Sequence, residues 1–409
     1  MASSSVPRIS EREFVVLAAL LQALQALAID AMLPALGAIA GDLAAPNPND
    51  RQLIIGAFLI GAGLGALIPG VLADRYGRRP VLLGCLIAYC LINLACALVS
   101  DFTTLIVLRG LTGFFTAGMT VLPAAMIRDR FEGDRMARLQ SLVAMIFMIV
   151  PVVAPSLGQA VLLFAGWRWI FGLMAGMAAI LLVWSFLRLE ESLAPENRQP
   201  IAPGRIIANM REIVTNRVSI GYILAMASTA AMFFNFLSSS QQLIAEHFGA
   251  GEDFPLVFAI MAGMLALANF TNSRLVMKYG ARRVSHAALL VYLVIGALQV
   301  VSAFGPSQTL WQFAVLMGLT MCLTGFISAN FTAIALQPFS RTAGAAASVL
   351  TFLRMVIGAI GGVLVGFAFD GTARPLALTI LIAGLIALGL VLWSEHGRLF
   401  RRFHYPPAS

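Results

Sequence analysis

Long apolar runs, separated by short polar ones, recur from one end of the chain to the other. Each holds about 20 residues, enough to cross a hydrocarbon core of about 30 Å at about 1.5 Å per residue. Twelve can be read, at 14–37, 52–73, 81–99, 103–127, 139–164, 169–187, 218–241, 255–277, 284–303, 309–334, 345–369 and 375–393. The pattern predicts an all-α membrane protein. Composition agrees, because 60% hydrophobic and 11% charged residues with a mean hydropathy of +0.89 exclude a soluble domain of 409 residues.

The polar intervals are informative too. The longest, 188–217, contains Pro195, Pro200 and Pro203 and separates an N-terminal six-helix half (1–187) from a C-terminal one (218–409). Within it, Ile206, Ile207, Met210, Ile213 and Val214 share one helical face, opposite Arg205, Arg211, Glu212 and Arg217, as expected of a connector lying on the membrane surface. A weak repeat supports two halves: GVLADRYGRRP (70–80) returns 203 residues later as SRLVMKYGARR (273–283), keeping Leu72, Tyr76, Gly77 and Arg79 as Leu275, Tyr279, Gly280 and Arg282. The first run is too long for a signal-peptide core and lacks a small-residue cleavage site, so it reads as an uncleaved helix.

Charge sets the orientation. Of 27 Lys and Arg, 22 fall on the side of the two termini, three (Arg51, Arg168, Arg374) on the other, and Arg109 and Arg354 within runs. This asymmetry predicts cytoplasmic termini. The net charge of +8 then describes contact with anionic lipid, not nucleic acid. Cys85, Cys90, Cys96 and Cys322 lie inside runs without metal-type spacing, so neither disulfides nor a metal site are expected. No histidine (His247, His286, His396, His404) stands beside a nucleophile or metal-like cluster, and Asp129, Glu132 and Asp134 alternate with Arg128, Arg130 and Arg135 as a solvated loop. No catalytic residue, no enzyme activity and no cofactor are expected.

Asp30 is the acidic residue placed deep in an apolar run, in LAIDAMLP. A carboxylate at that depth costs about 2.5 to 3.5 kcal/mol on insertion scales, so it faces a polar cavity, finds a partner or binds a proton. Arg109 lies about six residues into the fourth run, at the depth of Asp30, roughly 10 Å below the surface. Arg354 lies near the middle of the eleventh run with no acidic residue in its own run, which allows affinity for anionic groups or a pairing elsewhere. Gln22 and Gln25 stand within two turns of Asp30. Phe114, Phe115, Met119, Met145, Phe147, Met148, Met232, Phe233 and Phe234 supply the flexible wall of a loosely selective pocket, from which Phe115, Met119 and Phe234 are chosen as lining, with Asn235 and Ser239 as polar contacts.

Gly70-Val71-Leu72-Ala73-Asp74-Arg75-Tyr76-Gly77-Arg78-Arg79 resembles the major facilitator superfamily loop signature G-x-L-a-D-r-x-G-r-[RK] at every position. The segments 30–35 (DAMLPA), 127–133 (IRDRFEG) and 166–171 (GWRWIF) resemble the bicyclomycin and chloramphenicol resistance branch, Bcr/CflA, of proton-coupled drug exporters. The departures are Thr112 for the usual Gln after Arg109, the reduced helix-5 signature Ala154-Pro155-Ser156-Leu157-Gly158-Gln159, and Met277 for the acidic residue of the second-half loop.

The resemblance implies a twelve-helix major facilitator fold in which helices 1 and 4 line a central cavity, making an Asp30–Arg109 ion pair or water-bridged pair possible and allowing it to couple proton movement to transport. It implies a latch of Gly70, Asp74, Arg75, Gly77, Arg78, Arg79 and Asp129, with Asp74 meeting the start of helix 11 near Gly344 and Arg78 or Arg79 reaching Asp129. The expected function is proton-coupled efflux of small lipophilic compounds by a monomer in a bacterial inner membrane. The partners are its substrate, protons and lipid, and the proton gradient is the energy source. The alternative is a proton-coupled transporter of one specific metabolite, with an organic anion as a candidate.

Overall fold

A computed structural model describes residues 9–400, apart from Glu132, Met148, 199–202, Glu252, Ser307 and 340–342. Among the described residues every regular element is helical, and the chain forms two compact units, Met1–Pro203 and Gly204–Ser409. Eleven helical stretches are long and apolar enough to cross a membrane, and Val150–Ala165 is a shorter apolar helix, giving the twelve-helix arrangement.

The first unit contains α1 (Glu11–Asp30), α2 (Leu36–Asp42), α3 (Gln52–Gly65), α4 (Pro69–Tyr76), α5 (Arg78–Leu98), α6 (Phe102–Arg130), α7 (Gly133–Phe147), α8 (Val150–Ala165) and α9 (Arg168–Arg188). Three of the expected continuous spans are therefore interrupted, each at a proline. The first breaks after Asp30, the second between Gly65 and Pro69, and the fifth between the end of α7 at Phe147 and the start of α8 at Val150, ahead of Pro151. Proline removes a helical donor and crowds the carbonyl four residues back, yet suits the first turn of the helix that follows.

Helix 1, read as α1 plus α2, is gripped at both ends. Near its start Glu13 accepts from Trp184 Nε1 (2.9 Å) and from Arg188 Nε (2.9 Å) and Nη2 (2.8 Å). At its far end Asp42 accepts from Trp167 Nε1 (2.8 Å) and Arg168 Nη1 (3.1 Å). Both clamps come from α9, one from each end. The GWRWIF segment thus serves to tie helix 1 to helix 6, and Arg168 also donates to the Val99 carbonyl that follows α5.

The second unit contains α10 (Pro203–Thr215), α11 (Arg217–Gln241), α12 (Phe254–Tyr279), α13 (Ala281–Phe304), α14 (Leu310–Leu336), α15 (Ala343–Phe367) and α16 (Arg374–Ser394), and α11 continues into a π-helix at Gln242–His247. Of the linker face, Ile213 is buried while Ile207 and Val214 are exposed. Pro200 and the side chains of Arg205 and Ile206 lie outside the described residues. A buried polar chain closes one end of this unit. The Phe400 N–H donates to His286 Nδ1 (3.0 Å), which puts the ring proton on Nε2, 2.8 Å from Tyr222 Oη. Tyr222 in turn donates to Glu395 (2.8 Å), which also accepts from Arg282 Nε (2.7 Å).

Candidate functional site

Asp30 and Arg109 come together at the break in helix 1. Pro34 has no N–H to offer the Asp30 carbonyl and its ring crowds that atom, so α1 stops at Asp30. The chain tightens there: Met32 N–H turns to the Ile29 carbonyl (3.3 Å) and not to that of Ala28. Asp30 is thereby fixed at a discontinuity, 5% exposed, and among the described residues its carboxylate makes no hydrogen bond or ion pair.

Arg109 fills the gap that the break creates. Fully buried on α6, it donates from Nη2 to the released Ala28 carbonyl (2.8 Å) and from Nε to the Ile54 carbonyl of α3 (3.3 Å), and it lies over the Phe58 ring at 4.6 Å. Its Nη1 has no partner among the described residues. A cation at the carbonyl end of a helix satisfies an orphan acceptor and opposes the negative end of the helix dipole. The level expected for the two residues agrees with the contact to Ala28, two residues before Asp30; of the two arrangements expected, a direct ion pair is not formed among the described residues, where Nε and Nη2 go to backbone carbonyls. Thr112, in the position expected for Gln, bonds back to the Leu108 carbonyl (2.8 Å) and reaches no other helix through that bond.

Glycines allow this crowding. A Cβ at Gly158 would lie 1.9 Å from the Ala31 carbonyl oxygen, so what remains of the helix-5 signature presses α8 onto the residue after Asp30. On the other side, Cβ atoms at Gly61 and Gly113 would fall 1.9 Å from Gly110 O and 2.0 Å from Phe58 O, which seats α3 against α6 and brings Ile54 and Phe58 to Arg109.

The expected lining residues separate. Gln22 and Gln25 lie partly exposed on one face of α1, and Phe115 is partly exposed and packed edge-on to Phe114. Met119 is fully buried within its unit and lines nothing accessible. In the second unit Phe234, Asn235 and Ser239 are buried too, where Gly358 and Gly361 let α15 close on α11; Asn235 Nδ2 meets Met232 Sδ (3.5 Å), while Asn235 Oδ1 and Ser239 Oγ have no partner among the described residues. Arg354 is partly buried and its Nε is likewise unsatisfied. Met148 and the side chains of Phe147 and Ser238 lie outside the described residues.

The loop signature forms a polar cluster. Asp74 pairs with Arg78 at 2.5 Å, and Arg78 Nε reaches Asp129 at 3.1 Å. Arg79 turns instead to the Phe186 carbonyl (2.7 Å), and Arg75 covers Tyr76. Gly70 meets nothing closer than 3.9 Å, so its own unit does not require glycine there. The sequence reading missed Glu191. Its carboxylate accepts from the Arg78 and Arg79 N–H groups (2.9 and 3.2 Å) and so caps the start of α5. Gly77, at φ 105°, is doubly constrained, because a Cβ would stand 2.3 Å from Glu191 Oε2. In the second unit a carboxylate also meets the corresponding arginine, Glu395 accepting from the Arg282 side chain beside a positive-φ glycine, Gly280. Met277, which replaces the acidic residue in that loop, is 88% exposed.

Residues 18–362 match the family model described as Major Facilitator Superfamily. The chain belongs to that superfamily, and it is a multi-pass membrane transporter by family. Among its relatives are YdgK of Bacillus subtilis (strain 168), an uncharacterized MFS-type transporter 30% identical over 88% of this chain and 89% of that one, and a bicyclomycin resistance protein homolog of Haemophilus influenzae, 29% identical over 90% and 92%. The multidrug resistance protein MdtL of Escherichia fergusonii is 27% identical over 90% and 92%. These names agree with the branch that the motifs resemble. A bacterial homolog of the human lysosomal transporter Spinster, solved inward-facing and unoccupied, shares the fold with a TM-score of 0.68 at 16% identity, covering 96% of each chain.

Proposed function

We propose that this protein is a proton-coupled antiporter that exports small lipophilic compounds from the bacterial cytoplasm by alternating access. The observation that carries the reading is Asp30, a buried carboxylate without a partner among the described residues, set at the break in helix 1. A charge so placed is costly, whereas a carboxyl that exchanges a proton as each side opens is stable in both states. Arg109 holds the helix end while Asp30 changes charge, so protonation is felt as a change at a backbone discontinuity. The resistance and multidrug names of the relatives support a broad lipophilic substrate range. The Lys and Arg asymmetry supports cytoplasmic termini in the inner membrane. Asp74, Arg78, Asp129 and Glu191 then form the cytoplasmic latch. The test uses proteoliposomes carrying an imposed pH gradient. Uptake of tetraphenylphosphonium or ethidium against its own gradient, abolished by collapsing the pH difference, is the expected result; movement that ignores the pH difference rejects coupling.

A further inference from the structure

Arg354 stands in the interior of α15, on the same helical face as Gly358 and Gly361, four and seven residues later. That face meets α11: a Cβ at Gly358 would lie 2.5 Å from the Phe234 ring, and one at Gly361 would lie 3.3 Å from Ala231 Cβ and Asn235 Oδ1. Arg354 therefore stands one turn before the point where the two helices close on Phe234. Its Nε is buried without a partner, and among the described residues the whole group makes no hydrogen bond or ion pair.

Arg109 solves the same difficulty differently, since two carbonyls and a ring surround it. Nor can the second half neutralise Arg354 from another of its long helices. Its described acidic residues, Glu212, Glu246, Asp253, Asp370 and Glu395, all lie on the linker helix, at helix ends or between helices. An unsatisfied guanidinium donor in apolar surroundings is costly, and a two-oxygen anion matches the fork geometry that a single carbonyl cannot.

We propose that Arg354 is an anion-recognition residue, which takes the carboxylate or sulfonate of an amphiphilic organic anion. This rests on the transport reading and widens the substrate range to organic anions.

The test is equilibrium binding of radiolabelled naphthalene-2-sulfonate and tetraphenylphosphonium to the purified full-length protein, both probes being ionised at every usable pH. Arg354→Gln is expected to weaken sulfonate binding about tenfold or more, the scale of one charge-assisted contact, and to leave the cation unaffected or better bound. Arg354→Lys, which keeps the charge without the fork, should fall between. In the wild type, sulfonate but not the cation should protect Arg354 from phenylglyoxal, read by peptide mass spectrometry, so the test survives a variant that does not fold. Equal sulfonate binding by wild type and Arg354→Gln, loss of both probes in a folded variant, or absence of protection overturns the proposal. A protein that binds sulfonate through Arg354 but ignores a pH gradient loses the coupling reading and keeps this one, and the opposite pair of results does the reverse.

Discussion

Arg109 reaches the Ala28 carbonyl at 2.8 Å, so the helix that carries Asp30 is held by its backbone and not by its carboxylate. Position and charge are thus separated between two residues: one fixes the helix end, and the carboxylate of the other makes no hydrogen bond or ion pair among the described residues.

Asp30→Asn keeps the size and polarity of the side chain and removes its proton chemistry. Gradient-driven accumulation in proteoliposomes should vanish, while expression, membrane insertion and thermal midpoint stay near wild type. An Asn variant that still concentrates substrate places the coupling carboxylate elsewhere.

Arg109→Lys keeps the charge but cannot serve the Ala28 and Ile54 carbonyls together or lie flat over Phe58. Losing a charge-assisted bond to a buried carbonyl costs about 1.5 to 3 kcal/mol, which a lowered denaturation midpoint in detergent would register. An unchanged midpoint would mean that the carbonyls find other donors.

Gly158→Ala and Gly70→Ala should differ sharply. The first drives a methyl to 1.9 Å from a backbone oxygen, and overpacking of this kind costs about 1 to 3 kcal/mol; the second enters space with nothing nearer than 3.9 Å within its unit. Only Gly158→Ala should lower the denaturation midpoint, and an unchanged midpoint for that variant would refute the contact with Ala31.

Glu191→Gln removes the charge that caps α5, worth about 0.5 to 2 kcal/mol. Disorder should appear first at the start of that helix, seen as faster amide exchange at Arg78 and Arg79. Uniform exchange along α5 would deny the cap.

How far the chain could be read follows from the range of each interaction. The spans were legible because lipid imposes length and apolarity locally, and the depth of Asp30 and Arg109 followed from counting. The break at Asp30 was also open to reading, since Pro34 stands in the same motif. Burial of Met119, Asn235 and Ser239 was not, because in helices apolar all round no periodicity separates a packed face from an open one. Glu191 meets Arg78 across 113 residues of sequence, and no local signal announces such a cap. The bond from Arg109 to the Ala28 carbonyl had the same origin: backbone carbonyls released by a turn are invisible in a list of charges.

Pinned by a Trp–Arg pair at Glu13 and by another at Asp42, helix 1 behaves as a beam fixed at both ends. A beam so held resists sliding or swinging as a whole within its half; strain put into it collects where its stiffness is least. That place is the stretch from Asp30 to Ala35, where regular helical bonding lapses. A change in charge at Asp30 would therefore act on the weakest point of the beam, where the least work bends it furthest.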